Sequence, residues 1–169
     1  MAREAADADS QPVQVAGSLP PVFGSYRPDL LDAAKAAPLL NALVKGLALH
    51  VDIWLGETLS ATAEAKAIHA SANDDSRPLW LSFTLDDTAN IDAIVRGDAG
   101  PTLRSGEAIE TAFAVAASLG ASGLSLQLQP GRDRGSRGTP RARFEMPRIL
   151  TSRWMCTRTP LCRNRGATR

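Results

Sequence analysis

The feature that most constrains this chain is an alternation. Short β-prone runs are each followed by a turn rich in Gly, Ser or Pro and then by a stretch of helical periodicity. Val13–Ala16 is the first such run, and Gly17, Ser18 and Pro20-Pro21 turn it into a loop. From Asp29 to Ala48, the residues Leu30, Leu31, Ala34, Leu39, Leu40, Leu43, Val44 and Leu47 recur at helical spacing. Pro38 interrupts them, which predicts two helices or a kink. Val51–Leu55 reads as the second strand and ends in Gly56-Glu57-Thr58. Ser60–Ala72 is alanine-rich and predicts a helix with Ser60 as its N-cap. Leu79–Thr84 is a near-continuous apolar run of the kind buried in parallel sheets. Asp86–Pro101 reads as a loop with one helical turn at Ile91–Val95. Ser105–Leu119 predicts a helix stopped by Gly120, and Ala121–Leu126 starts another strand.

The order β-α-β-α-β-α-β implies an α/β fold with parallel strands and right-handed crossovers. A doubly wound sheet and part of a βα barrel both satisfy it, and periodicity does not choose between them. Neither GxGxxG nor GxxxxGK[ST] follows any strand, which argues against nucleotide binding.

Charge divides the chain where the alternation ends. Met1–Gly131 holds 8 basic and 16 acidic side chains, while Arg132–Arg169 holds 11 arginines against Asp133 and Glu145. The second part has no hydrophobic repeat, and its Arg, Gly, Ser and Pro content predicts disorder. The expected division is therefore a βα unit over 1–126 and an arginine-rich tail over 127–169. No run approaches a transmembrane span. Met1–Pro12 lacks the basic and apolar regions of a secretory signal, so a cytoplasmic location is expected. The two cysteines, Cys156 and Cys162, both lie in the tail at a spacing that fits no standard zinc pattern.

Five pieces in order carry a family resemblance. They are Val15-Ala16-Gly17-Ser18-Leu19 with Pro20-Pro21, then Asp52-Ile53-Trp54-Leu55-Gly56-Glu57-Thr58, then Arg77-Pro78-Leu79-Trp80-Leu81-Ser82-Phe83. Leu103-Arg104-Ser105-Gly106-Glu107 and Leu119-Gly120-Ala121 complete the set. In these the chain resembles the homocysteine S-methyltransferases from about residue 13 to residue 125. The resemblance implies part of a (β/α)8 TIM barrel, about four βα units, with the site at the C-terminal ends of the strands. It implies methyl transfer to the homocysteine thiol, giving methionine. The methyl donor would be S-methylmethionine, betaine or S-adenosylmethionine. It also implies Zn2+ held by three cysteine thiolates, which keeps the substrate sulfur as the reactive thiolate.

Glu57 matches the family's carboxylate that receives the amino group of homocysteine; its simpler reading is a Glu favouring a helix start. Ser18 and Thr84, at neighbouring strand ends, are the other expected substrate-binding residues, against a reading as ordinary turn or barrel packing. His50 is expected at the far end of the barrel and His69 on an exposed helix face. Asp86-Asp87 reads as the acidic start of a long loop, and Trp54 and Trp80 as core.

The sequence also departs from the family pattern. Met1–Asp7 reads as the end of a helix, with the family's first two strands not preceding it. The Asn-Cys and Gly-Gly-Cys-Cys zinc motifs do not appear. Leu126–Pro130 (Leu-Gln-Leu-Gln-Pro) is what a one-base insertion makes of one choice of codons for Phe-Asn-Cys-Ser-Gln. The expectation is a frameshifted tail, an unclosed barrel that self-associates through its open edges, and a chain inactive by itself. The competing readings are RNA binding through the arginine tail, with few aromatics to support it, and a scaffold completed by a second polypeptide.

Overall fold

The computed structural model describes residues 2–86 and 91–127. The expectations for the arginine-rich tail, its reading frame, Cys156, Cys162 and Asp87 fall outside those residues. A short helix α1 (Ala2–Asp7) is followed by strand β1 (Ala16–Leu19), a 3-10 turn at Pro28–Leu30 and helix α2 (Ala33–Leu47). Then come β2 (Ile53–Leu59), α3 (Thr62–Ala72), β3 (Leu79–Thr84), α4 (Ile91–Arg96), α5 (Ile109–Ser118) and β4 (Gly123–Gln127). The strands form one parallel sheet in the order β1-β2-β3-β4. This is the α/β arrangement expected of a partial TIM barrel; of the about four βα units expected, the described residues hold four strands, three of them followed by helices.

Register sorts the side chains onto two faces, because successive strand residues point to opposite sides. Gly17 pairs with Trp54 and Trp54 with Leu79; one step on, Leu19, Gly56 and Leu81 have the same parity. These face the helices. Leu19, Trp54, Leu79, Leu81 and Phe83 are buried with Leu40 of α2, Ala65 and Ile68 of α3, and Ala112 and Ala116 of α5. Each large side chain so buried contributes about 1.5–3 kcal/mol. The other face carries Ser18, Leu55, Glu57, Trp80, Ser82, Ser125 and Gln127.

Two glycines make room for two tryptophans. A Cβ at Gly17 would lie 2.7 Å from Cζ3 of Trp54, and one at Gly123 would lie 2.7 Å from Cδ2 of Trp80. Trp54 is core, as expected, with the Arg77 guanidinium 5.1 Å from its ring centroid. Trp80 differs from expectation: it is only half-buried, on the face away from the helices.

Four local readings are corrected. The expected break at Pro38 does not occur, since α2 runs through it. Proline removes the bond to the carbonyl of Ala34, but Ala34 and Pro38 are both exposed, so water can serve that oxygen. The helical interruption lies earlier, between Pro28–Leu30 and the Asp32 cap, whose side chain accepts from Lys35 N–H at 3.2 Å. Ser60 does not cap α3; Ala61 holds that position with no side chain to offer. Instead Glu64 accepts from the N–H groups of Ser60 (2.6 Å) and Ala61 (3.1 Å), and Glu107 accepts from Thr62 N–H (2.9 Å). The first turn expected of α5 is a loop, because Gly106 takes φ +85° and Thr102 bridges to Ala108. His69 is half-buried rather than exposed, and His50 lies exposed before β2, at the strands' N-terminal end as expected.

Candidate functional site at the C-terminal ends of the strands

Glu57 owes its position to a defect in the sheet. β2 and β3 pair in register up to Gly56–Leu81, then shift before Leu59–Phe83. Such a bulge re-aims side chains at strand ends and is common beside active sites. Thr58, inside it, has φ +62°. A β-branched residue in that region is strained, and strain of this kind persists where surrounding structure enforces it. On β1, Ser18 points to the same face, and its hydroxyl donates to Glu57 Oε2 at 2.8 Å. Ser18 is exposed and Glu57 half-exposed, so the carboxylate keeps further acceptor capacity toward solvent.

Thr84 occupies the end of β3 but is fully buried. Its hydroxyl donates to Leu59 O at 3.1 Å and meets Ser60 Oγ at 3.1 Å. It ties the ends of β2 and β3 together and does not join the Ser18–Glu57 pair. On β3 and β4, Gln127 Nε2 donates to Ser82 Oγ at 2.7 Å. The polar groups on this face thus run across four strand ends, with Glu57 the one carboxylate in the row Ser18, Glu57, Ser82, Gln127.

At the start of α3 lies a carboxylate pair, Glu64 and Glu107, that the sequence did not reveal. Burial pushes the Glu64 carboxyl above its ordinary range, with Glu107 adding repulsion, against the pull of the Ser60 and Ala61 N–H groups. Burial also acts on Glu107, but donors from the Thr62 side chain, Ser105 and the Thr62 backbone, with Lys66 nearby, hold it below that range. Ser105 Oγ donates to Glu107 Oε2 at 2.7 Å. These bonds fasten the loop before α5 to the start of α3. No motif spacing announced them, because the partners are 45 residues apart.

Arg104 and Tyr26 were also unforeseen. The Arg104 guanidinium carbon lies 4.7 Å from the Tyr26 ring centroid, and Tyr26 has φ +66° in the loop after β1. Two hollows of about 280 and 410 Å3 lie elsewhere. One is lined by His69, Arg77 and Ser122, the other by Arg3, Gln14 and Asp52. Both adjoin the N-terminal ends of the strands, the stabilising end of a βα barrel rather than its reactive end.

The oxygen donors Ser18, Glu57, Ser82 and Gln127 do not fit a zinc ion, which takes thiolate and imidazole ligands with at most a carboxylate among them. Among the described residues no group of three or more His, Cys, Asp or Glu side chains could hold a metal ion. No helix among them is long and apolar enough to cross a membrane.

A family model described as homocysteine S-methyltransferase matches residues 1–127. No curated protein matches the chain. Among solved structures, the apo form of the homocysteine methyltransferase MmuM from Escherichia coli is similar at 24% identity and a TM-score of 0.49. The match covers 73% of this chain and 43% of that one, so this chain spans less than half the length of that relative.

Proposed function

The chain belongs to the homocysteine S-methyltransferase family, and on that premise we propose that residues 2–127 form the part of the fold that recognises the amino group of homocysteine. The observation that carries this reading is Glu57, placed on a bulge at a strand's C-terminal end and oriented by the 2.8 Å bond from Ser18. A carboxylate with one lone-pair site used by a hydroxyl can still accept charge-assisted bonds from an ammonium group. Ser18 positions the carboxylate. Thr84 fixes the ends of β2 and β3 so that the bulge keeps its shape.

The reaction the family name describes is methyl transfer to the homocysteine sulfur. This chain contributes substrate recognition to it. The roles assigned to Ser18, Glu57 and Thr84 are recognition and positioning, and activation of the thiol is not assigned to them. No step here runs through zinc, because the described donor set does not fit it. Catalytic inactivity of this chain alone, as expected from sequence, is part of the same proposal: binding without turnover.

Calorimetric titration of the full chain with L-homocysteine tests this. Wild-type protein binds, and Glu57→Gln weakens binding by roughly ten- to a hundredfold, the worth of a hydrogen bond to a charged group. Equal affinity in both proteins refutes the role of Glu57.

A further inference from the structure

The strain at Thr58 has its cause in the packing of the next residue. Gly56 pairs with Leu81 on the helix-facing side of the sheet. Regular alternation from there would set Thr58 opposite Phe83 on that side and turn Leu59 to the open face. The register shift sets Leu59 opposite Phe83 instead, and Leu59 is 0% exposed. Its side chain folds back over Gly56: a Cβ at Gly56 would lie 3.2 Å from Leu59 Cδ1 and 2.9 Å from Leu81 Cδ2. Hydrogen bonds hold the chain from Leu59 onward. The Thr84 hydroxyl donates to Leu59 O at 3.1 Å, and the Ser60 and Ala61 N–H groups donate to Glu64 Oε2 at 2.6 and 3.1 Å. The extra residue of the bulge must therefore be taken up between Gly56 and Leu59, and Thr58 does so with φ +62°. A glycine adopts that backbone freely, whereas a β-branched residue resists it.

We propose that Thr58 is a positioning residue for Glu57, and that its strained backbone makes the aim of the carboxylate conditional on the clamp formed by Leu59, Thr84 and Glu64. The inference rests on the reading of Glu57 given above. Relaxation of Thr58 to an extended backbone removes the bulge, and with it the re-aiming that brings the Glu57 carboxylate to Ser18 Oγ at 2.8 Å. With the clamp intact, that relaxation would draw Leu59 out of the core and break the bonds beyond it, so the bulged form prevails. With the clamp weakened, the strain favours the regular register, in which Glu57 is aimed differently. A glycine at this position has no such preference, so the same weakening leaves Glu57 in place. The end of β2 is thus a two-state element, and the residue beside Glu57 sets its bias.

The test is a double-mutant cycle on the full chain, read by L-homocysteine affinity and by backbone amide shifts of ligand-free 15N-labelled protein. With Thr58 present, Thr84→Val weakens binding about tenfold, the scale of one non-glycine residue held left-handed, and moves the amides of Ser18 and Glu57. In the Thr58→Gly background the same change weakens binding less than about threefold and leaves those two amides in place. Thr84→Ser, which keeps the hydroxyl, recovers most of the loss. If Thr84→Val fails to fold, Ser60→Ala takes its place in the cycle, since it removes the hydroxyl 3.1 Å from Thr84 Oγ1. A purely structural role of Thr84 acts equally in both backgrounds; that result, or no loss in either, overturns the inference. Glu57→Gln keeps the two readings apart. If it binds homocysteine as tightly as wild type, or if wild type does not bind, the Glu57 reading is wrong; coupling in the amide shifts then still supports the strained bulge, and its absence overturns that too.

Discussion

Gly17→Ala tests the packing that holds the sheet on its helices. The added Cβ would meet Trp54 at 2.7 Å (Cζ3) and 2.8 Å (Cε3), and Val51 Cγ1 at 3.2 Å. Trp54 cannot swing away. It is 0% exposed, and Arg77 beside it is fixed by bonds to Val51 O (3.0 Å) and Asp75 Oδ1 (3.0 Å) and by a further bond to Ala48 O. Overpacking of this kind costs about 1–3 kcal/mol. The loss of backbone freedom in the unfolded chain offsets about 0.4–1 kcal/mol of it. A net loss of about 1–2 kcal/mol remains, which lowers the urea midpoint by about 0.5–1 M at the slope usual for a small domain. Gly123→Ala is the control. Its Cβ would approach Trp80 as closely, at 2.7 Å, but Trp80 is half-buried on the open face and has room to turn. The expected cost there is below about 1 kcal/mol. Urea unfolding followed by far-ultraviolet circular dichroism separates the cases. If Gly17→Ala is neutral or stabilising, or costs less than Gly123→Ala, the two-face packing argument fails.

Three further outcomes follow from particular residues. Glu64 has a folded pKa above its ordinary 4.5, so its ionisation costs stability as pH rises from that value through the folded one; Glu64→Gln should therefore gain on wild type as pH is raised from about 4 to 7, and a constant difference in unfolding free energy would refute this. Pro38→Ala supplies the amide that Ala34 lacks on an exposed helix face and should raise stability by about 1–3 kcal/mol, read as a higher thermal midpoint; no gain would mean that the proline is compensated in the native helix. Among the described residues β1 and β4 are each paired on one side, and Leu39, Leu43 and Leu49 are exposed; sedimentation velocity should show concentration-dependent association, whereas a concentration-independent monomer would show that the edges are covered.

The alternation of apolar runs and helical stripes made the parallel α/β order legible, because period and burial coincide in β3 and α3. Local boundaries were less legible where tertiary partners replace local signals. Ser60 reads as a cap, yet its hydroxyl is drawn into the Thr84 contact while Glu64 and Glu107 take over the start of α3. Pro38 reads as a breaker, yet exposure makes its cost tolerable. Ser18 and Glu57 were expected at neighbouring strand ends, and the structure joins their side chains by a 2.8 Å hydrogen bond. Thr84 was foreseen at a strand end but is committed to Leu59 and Ser60. The bulge that aims Glu57 could not be read, since Gly56-Glu57-Thr58 continues the strand pattern. Arg104 and Tyr26, 78 positions apart, meet only through the strand order.

The central claim is that the amino acid binds at the C-terminal ends of β1 and β2. The most direct measurement is a titration of 15N-labelled full-length chain with L-homocysteine, following backbone amide shifts. The account predicts saturable shifts concentrated at Gly17–Leu19, Gly56–Ser60 and Arg104–Gly106, lost in Glu57→Gln. Shifts concentrated around His69, Arg77 and Ser122 at the opposite end, or none at all, would contradict it.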